Sequence, residues 1–151
     1  MRSYLRVPPG WGENLARAGV EPGTTSDGLV FWTDQALGDE WENVSDELTE
    51  AFALSREAAR AGAPVVYVVG SPDLLGKRGA GKAMVATGLL SAARDLAQET
   101  AKAGIPANVL AIVEDADPEM VANWIARLLD NPGTTGELVR LGAIHLGKAL
   151  P

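Results

Sequence analysis

The side chains with chemical potential cluster in one short stretch. Ser71 follows directly on Gly70, and Lys77, Arg78 and Lys82 come soon after it. A hydroxyl, a lysine and flanking cations are the material of a proton transfer, or of an anion site at the start of a helix. The run Gly76-Lys77-Arg78-Gly79-Ala80-Gly81-Lys82-Ala83 nearly fits the phosphate-binding pattern G-x-x-x-x-G-K-[ST]. It departs twice: Ala83 stands where a hydroxyl must hold Mg²⁺, and Gly76 does not follow directly on a strand. Triphosphate binding is therefore not expected. Lys77 and Arg78 remain candidates for a simple anion such as sulfate or a CoA phosphate, against the plainer reading of solvated loop charges.

Other chemistries lack material. The only histidine, His145, has no nucleophile or orienting carboxylate that the sequence can place beside it, so it reads as a surface or interface residue. With no cysteine there is neither a disulfide framework nor a thiolate. One histidine and scattered carboxylates give no metal-ligand pattern, and no metal is expected.

These residues hang on a βαβ unit from Pro64 to Ile112. Val65 to Val69 is a continuous β-branched apolar run, the mark of a strand buried on both faces. A long helix from about Gly79 to Ala103 stops at Gly104, and Ala107 to Ile112 supplies the next strand. Upstream, Gly28 to Thr33 is a short apolar strand. Trp41 to Ala61 is a helix with Trp41, Val44, Leu48, Phe52 and Ser55 on one face. Downstream, Asp117 caps a helix that opens with Pro118 and carries Met120, Val121, Trp124, Ile125, Leu128 and Leu129. Gly136 to Gly142 is the last strand. Residues 1–27, rich in Pro and Gly, allow one helix near Gly12 to Ala18 and otherwise read as an N-terminal arm preceding a domain over 28–151.

The totals agree with a single α/β domain. The chain has 151 residues, 46% of them hydrophobic, and no apolar run nears the ~20 residues a membrane span needs. No charged-then-apolar leader is visible, which points to the cytoplasm. A net charge of −7 offers no surplus to neutralise nucleic-acid phosphates, so no nucleic-acid partner is expected.

The sequence also resembles the second half of the short-chain dehydrogenases/reductases. Gly70-Ser71, Gly81-Lys82-Ala83, Leu96-Ala97, Gly104-Ile105-Pro106-Ala107-Asn108-Val109 and Thr135-Gly136-Glu137 carry the likeness, which extends from about Gly28 to Gly142. The resemblance implies an α/β, three-layer Rossmann/flavodoxin-like parallel sheet of four to five strands with helices on both faces. It also implies an active site that this chain has lost. If Lys82 matches the family's lysine and Ser71 its serine, Arg78 stands where the catalytic tyrosine belongs, and arginine has no proton to give near neutral pH. Glu47 stands at the helix asparagine, and Val113-Glu114 replace the "PG" after the sixth strand. No Gly-rich turn follows any strand, and the turn that should lie along the nucleotide is Asp34-Gln35-Ala36-Leu37. No dinucleotide, and no other cofactor, is expected. Ser71 and Lys82 read as vestiges.

The retained half is the half through which family members associate. Resemblance implies that the helices 41–61 and 79–103 pair with their like in another subunit, with Trp41, Phe52, Ala83, Met84, Ala86 and Leu90 as candidate interface residues. The expectation is a homodimer or a hetero-oligomer with a full-length dehydrogenase. The family offers parallels in the inactive subunits of heteromeric hydroxyacyl-CoA dehydrogenases and the cofactor-free domain of long ketoacyl-carrier-protein reductases. The competing expectation is a small cofactor-independent enzyme or ligand-binding protein, with Ser71, Lys82, Arg78, Glu47 and Asp34 lining a cleft at the carboxyl ends of the strands.

Overall fold

The structure is a computed structural model that describes residues 1–143; His145 lies outside the described residues. In chain order the elements are β1 (Arg2–Arg6), α1 (Trp11–Arg17), β2 (Glu21–Pro22), β3 (Leu29–Trp32), α2 (Trp41–Ala61), β4 (Val65–Gly70), α3 (Ser71–Leu74), α4 (Ala80–Glu99), β5 (Ala107–Ile112), α5 (Pro118–Asp130) and β6 (Leu138–Leu141). The strands form one sheet in the order β2-β1-β3-β4-β5-β6, parallel throughout. The architecture is the expected Rossmann-like α/β layering.

Alternation along the strands sorts the core into two halves. Phe31, Val65, Tyr67, Val69, Val109 and Ala111 turn toward α2 and α4, where they meet Val44, Ala51, Ala58, Val85, Leu89 and Ala93. Val30, Trp32, Val66, Val68 and Leu110 turn the other way, toward Leu15 of α1 and Val121, Ile125, Leu128 and Leu129 of α5. Burial on both faces is why β4, VVYVVG, carries no polar side chain except a tyrosine hydroxyl.

The sheet has six strands rather than four or five because residues 1–27 make a βαβ unit of their own. A seven-residue helix, α1, suffices as crossover, and an edge strand needs no more than the two residues of β2. Tyr4, Leu5 and Arg6 pair with Leu29, Val30 and Phe31, so the arm covers what would otherwise be a free hydrophobic edge on β3. The approach is tight: a Cβ on Gly28 would sit 2.6 Å from Ser3 Oγ.

Helix ends follow local chemistry. Gly62, at φ 74°, ends α2 in the left-handed conformation, and the Asp117 carboxylate accepts from the Met120 amide to start α5. The crossovers differ in hand. α2 and α4 carry the chain one strand further along the sheet over one face; α5 carries it in the same direction over the opposite face. The β5–α5–β6 connection is therefore opposite in hand to β3–α2–β4 and β4–α4–β5, a rare arrangement for parallel strands. Among the described residues no helix is long and apolar enough to cross a membrane.

Candidate functional site

The strand order reverses between β1 and β3, and it is at the carboxyl ends flanking such a reversal that open α/β sheets hold their ligands. Here the chain fills the place itself. Arg6, the last residue of β1, donates to the Trp32 carbonyl and to both oxygens of Glu47, which reaches over from α2. Its guanidinium carbon lies 4.6 Å from the centre of the Phe31 ring. Glu47 is buried and also accepts from the Asp34 amide at 2.8 Å, so its carboxylate is fully engaged. Burial opposes the Arg6 charge, but the bond to Glu47 and the charges of Glu47 and Glu50 hold its pKa above the ordinary arginine value. What remains is a shallow cleft of about 380 Å³ whose ionisable walls are Arg6, Asp34, Asp46, Glu47 and Glu50. Its surplus of carboxylates repels anions.

The residues do not fit the dinucleotide that a Rossmann-like fold usually holds. The turn after β1, where backbone amides should cradle the pyrophosphate, reads Val7-Pro8-Pro9-Gly10, and two of its four residues have no N–H. Glu13 in the first turn of α1 adds a negative charge at the wrong end.

The cluster singled out by sequence is equally self-contained. Ser71 Oγ accepts from Arg140 Nε at 2.9 Å. Arg78 grips Asp73 with two parallel bonds, Nε to Oδ1 at 2.7 Å and Nη2 to Oδ2 at 2.8 Å, and that partner keeps its pKa raised. The pair lies flat on Gly70, where a Cβ would overlap Arg78 Nη2. Lys82 Nζ donates to the Gln35 carbonyl at 2.7 Å. The amino terminus of α4, the nearest thing to a phosphate loop, is taken by the chain's own anion: Asp39 Oδ1 accepts from the Gly81 amide at 2.8 Å. Lys77 is exposed. Ser71, Arg78, Lys82 and Glu47 thus each end on partners within the chain, and Arg78 and Lys82 both reach Gln35, Arg78 Nη2 donating to its Oε1 at 3.4 Å. Among the described residues no group of three or more histidines, aspartates and glutamates is placed to hold a metal.

The large concavity lies elsewhere, between α2 and α4. It is an open groove of about 730 Å³, walled by Leu48, Phe52, Gly88, Ala92 and Leu96 with Ser55 and Tyr67 among its lining residues. The Ser55 and Tyr67 hydroxyls are bonded at 2.6 Å. Burial, tempered by that bond, pushes the Tyr67 phenol up to about 12. Three of the six candidate interface residues stand clear of the chain's own packing: Trp41 is 64% exposed, Phe52 65% and Met84 48%. Ala83 is half-buried. Ala86 and Leu90 point inward, at 1% and 2% exposure, and belong to the packing of α4 on its own sheet. They share the face of Val85, Leu89 and Ala93, which sequence periodicity alone did not separate from the outer face.

No family model matches the chain, and no curated protein matches it in sequence. Among solved structures it superposes on the citronellol catabolism dehydrogenase (AtuB) of Pseudomonas aeruginosa PAO1, with a TM-score of 0.58 and 16% identity over 87% of this chain. The likeness is one of fold. The match spans 64% of that dehydrogenase, so the chain is matched to part of it only.

Several residues that shape these sites carried no sequence signal. Arg6 lay in a stretch read as an arm. Asp39, Asp73 and Arg140 are ordinary surface types by composition, and Ser55 and Tyr67 looked like helix and strand filler.

Proposed function

We propose that this chain is a non-catalytic relative of the short-chain dehydrogenases/reductases that works as a subunit, joining another chain of the same fold through α2 and α4 in the cytoplasm. The partner is a second copy or a full-length dehydrogenase, which the chain stabilises or regulates. One observation carries the reading. Ser71, Arg78 and Lys82, which stand where the family does its proton chemistry, are spent on Arg140, Asp73 and the Gln35 carbonyl, whereas the two long helices leave an apolar groove open between them. Chemistry has been exchanged for internal bonds while a contact surface persists.

The test has two arms. Calorimetric titration with NADH and NADPH is expected to give no binding heat. Light scattering of the chain, alone and mixed with candidate dehydrogenases, is expected to show a complex that Phe52→Asp weakens. Micromolar dinucleotide binding, or a monomer indifferent to every candidate, refutes the proposal.

A further inference from the structure

The groove between α2 and α4 is closed at one end. Both helices return from the carboxyl to the amino ends of parallel strands, so they run the same way. In their first halves they touch: a Cβ on Gly81 would lie 3.0 Å from Val44, and one on Gly88 3.3 Å from Leu48. The groove begins where those contacts stop. It runs from Leu48 to Arg60 on one wall and from Gly88 to Thr100 on the other, a length of about 18 Å.

Its chemistry changes along that length. The closed part is walled by Leu48, Ala51, Phe52 and Leu89. The two hydroxyls in its floor have spent their protons, Ser55 on the Ala51 carbonyl and Tyr67 on Ser55. The mouth, by contrast, is charged. Arg56 and Arg60 stand on the α2 side, Asp95 and Glu99 on the α4 side. All four are exposed, and none forms an ion pair among the described residues.

An apolar dead end behind a mouth of both signs suits a molecule with one hydrocarbon tail and a head carrying an anion and a cation. A purely anionic head meets Asp95 and Glu99 along with the arginines, and a purely cationic head meets the reverse; a zwitterion is matched on both walls. The volume of about 730 Å³ is that of a small-molecule site. A helix from another protein fits less well, because a rod about 10 Å across needs a trough open at both ends.

We propose that this groove binds a free, single-chain zwitterionic amphiphile. The tail lies toward Leu48 and Gly88, the anionic group meets Arg56 and Arg60, and the cationic group meets Asp95 and Glu99. The site adds a regulator to the subunit reading, since tail and partner chain claim the same walls. Binding itself is measured on the chain alone and does not rest on that reading.

Calorimetric titration of the full chain with dodecylphosphocholine, kept below its micelle-forming concentration, tests this. One molecule is expected to bind per chain. Decylphosphocholine is expected to bind about ten-fold more weakly, having two methylenes fewer in the groove. Dodecyl maltoside, with the same tail and an uncharged head, is expected to bind at least about ten-fold more weakly, and phosphocholine without a tail to give no heat. R56E/R60E and D95R/E99R, both confined to exposed positions, are each expected to weaken binding at least about ten-fold. Ala92→Trp, which fills the groove, is expected to abolish it; circular dichroism confirms folding of all three. Equal binding of the maltoside, or undiminished binding by both charge reversals, overturns the site. Uptake by phosphatidylcholine vesicles as strong as that of the free amphiphile overturns the free-molecule assignment. Absence of saturable heat overturns the inference and leaves the proposed function standing, whereas a chain that binds the amphiphile but ignores every candidate dehydrogenase and its own copy supports the inference and refutes the function.

Discussion

Tyr67 reports on how the groove floor is built. Its side chain is buried, 1% exposed, and its hydroxyl lies 2.6 Å from Ser55 Oγ. Ser55 has a single proton and gives it to the Ala51 carbonyl at 2.6 Å, so Tyr67 is the donor in the bond they share. A phenolate would have to be held away from water, with Ser55 turning its proton from Ala51 as the one available relief. Burial accordingly moves the phenol from 10.0 to about 12. The folded chain keeps this proton across a range in which the unfolded chain releases it. Unfolding therefore releases a proton between about pH 10 and pH 12, and stability falls as pH rises through that window. Two pH units at about 1.4 kcal/mol each give a loss of about 3 kcal/mol by pH 12, and none below pH 10. Tyr67→Phe removes the titrating group and one hydrogen bond, leaving Ser55 bonded to Ala51, at a cost of about 1 kcal/mol near pH 8. The two stability curves are thus expected to cross close to pH 11. Urea midpoints for both proteins from pH 8 to 12 measure this, because all other alkaline titrations cancel in the difference. Parallel curves, or Tyr67 phenolate absorbance appearing near pH 10 while near-ultraviolet dichroism stays native, would refute the reasoning.

Named contacts give further expected outcomes. Glu47→Gln leaves the Arg6 charge without its buried partner, and with Glu50 still in reach it is expected to cost about 2–3 kcal/mol. The paired change Arg6→Met with Glu47→Leu should return to within about 1 kcal/mol of the parent in the same urea assay; a double variant weaker than the single contradicts the reading of this pair as a filler of the switch point. At Gly81 a Cβ would overlap the Gly38 carbonyl oxygen, so Gly81→Ala is expected to destabilise by about 2 kcal/mol despite the better helix former. Gly88→Ala meets only the tip of Leu48 at 3.3 Å, and thermal melts should show it neutral or up to about 1 kcal/mol stabilising.

The central layers were readable because each rests on a local rule. The β-branched run of β4 has no other stable home than the middle of a parallel sheet, and Gly62 and Asp117 mark helix ends by conformations and bonds that those residues favour. β1 escaped because Arg2-Ser3-Tyr4-Leu5-Arg6 has no apolar run; its pairing comes from the distant β3, where Arg6 stands opposite Phe31. The candidate site was legible as residues and illegible as contacts. Ser71 and Lys82 were visible, yet what engages them arrives from afar: Arg140 lies 69 positions from Ser71, and Gln35 lies 47 from Lys82. Only the fold brings such partners together. Likewise Phe52 and Leu90 look alike in a hydrophobic pattern, and the sheet alone decides that one is 65% exposed and the other 2%.

The reversed hand of the last crossover answers a problem created by the brevity of the amino-terminal unit. Seven residues of α1 make a roof about 10 Å long, too small to keep Val66, Val68 and Leu110 dry. Had the final helix swung to the usual side, that flank of the sheet would have lain open to water. By passing beneath, α5 lays Val121, Ile125 and Leu128 over it and sets its own first turns beside α1. The molecule thus closes this side largely by itself, while the opposite side keeps the open groove between α2 and α4.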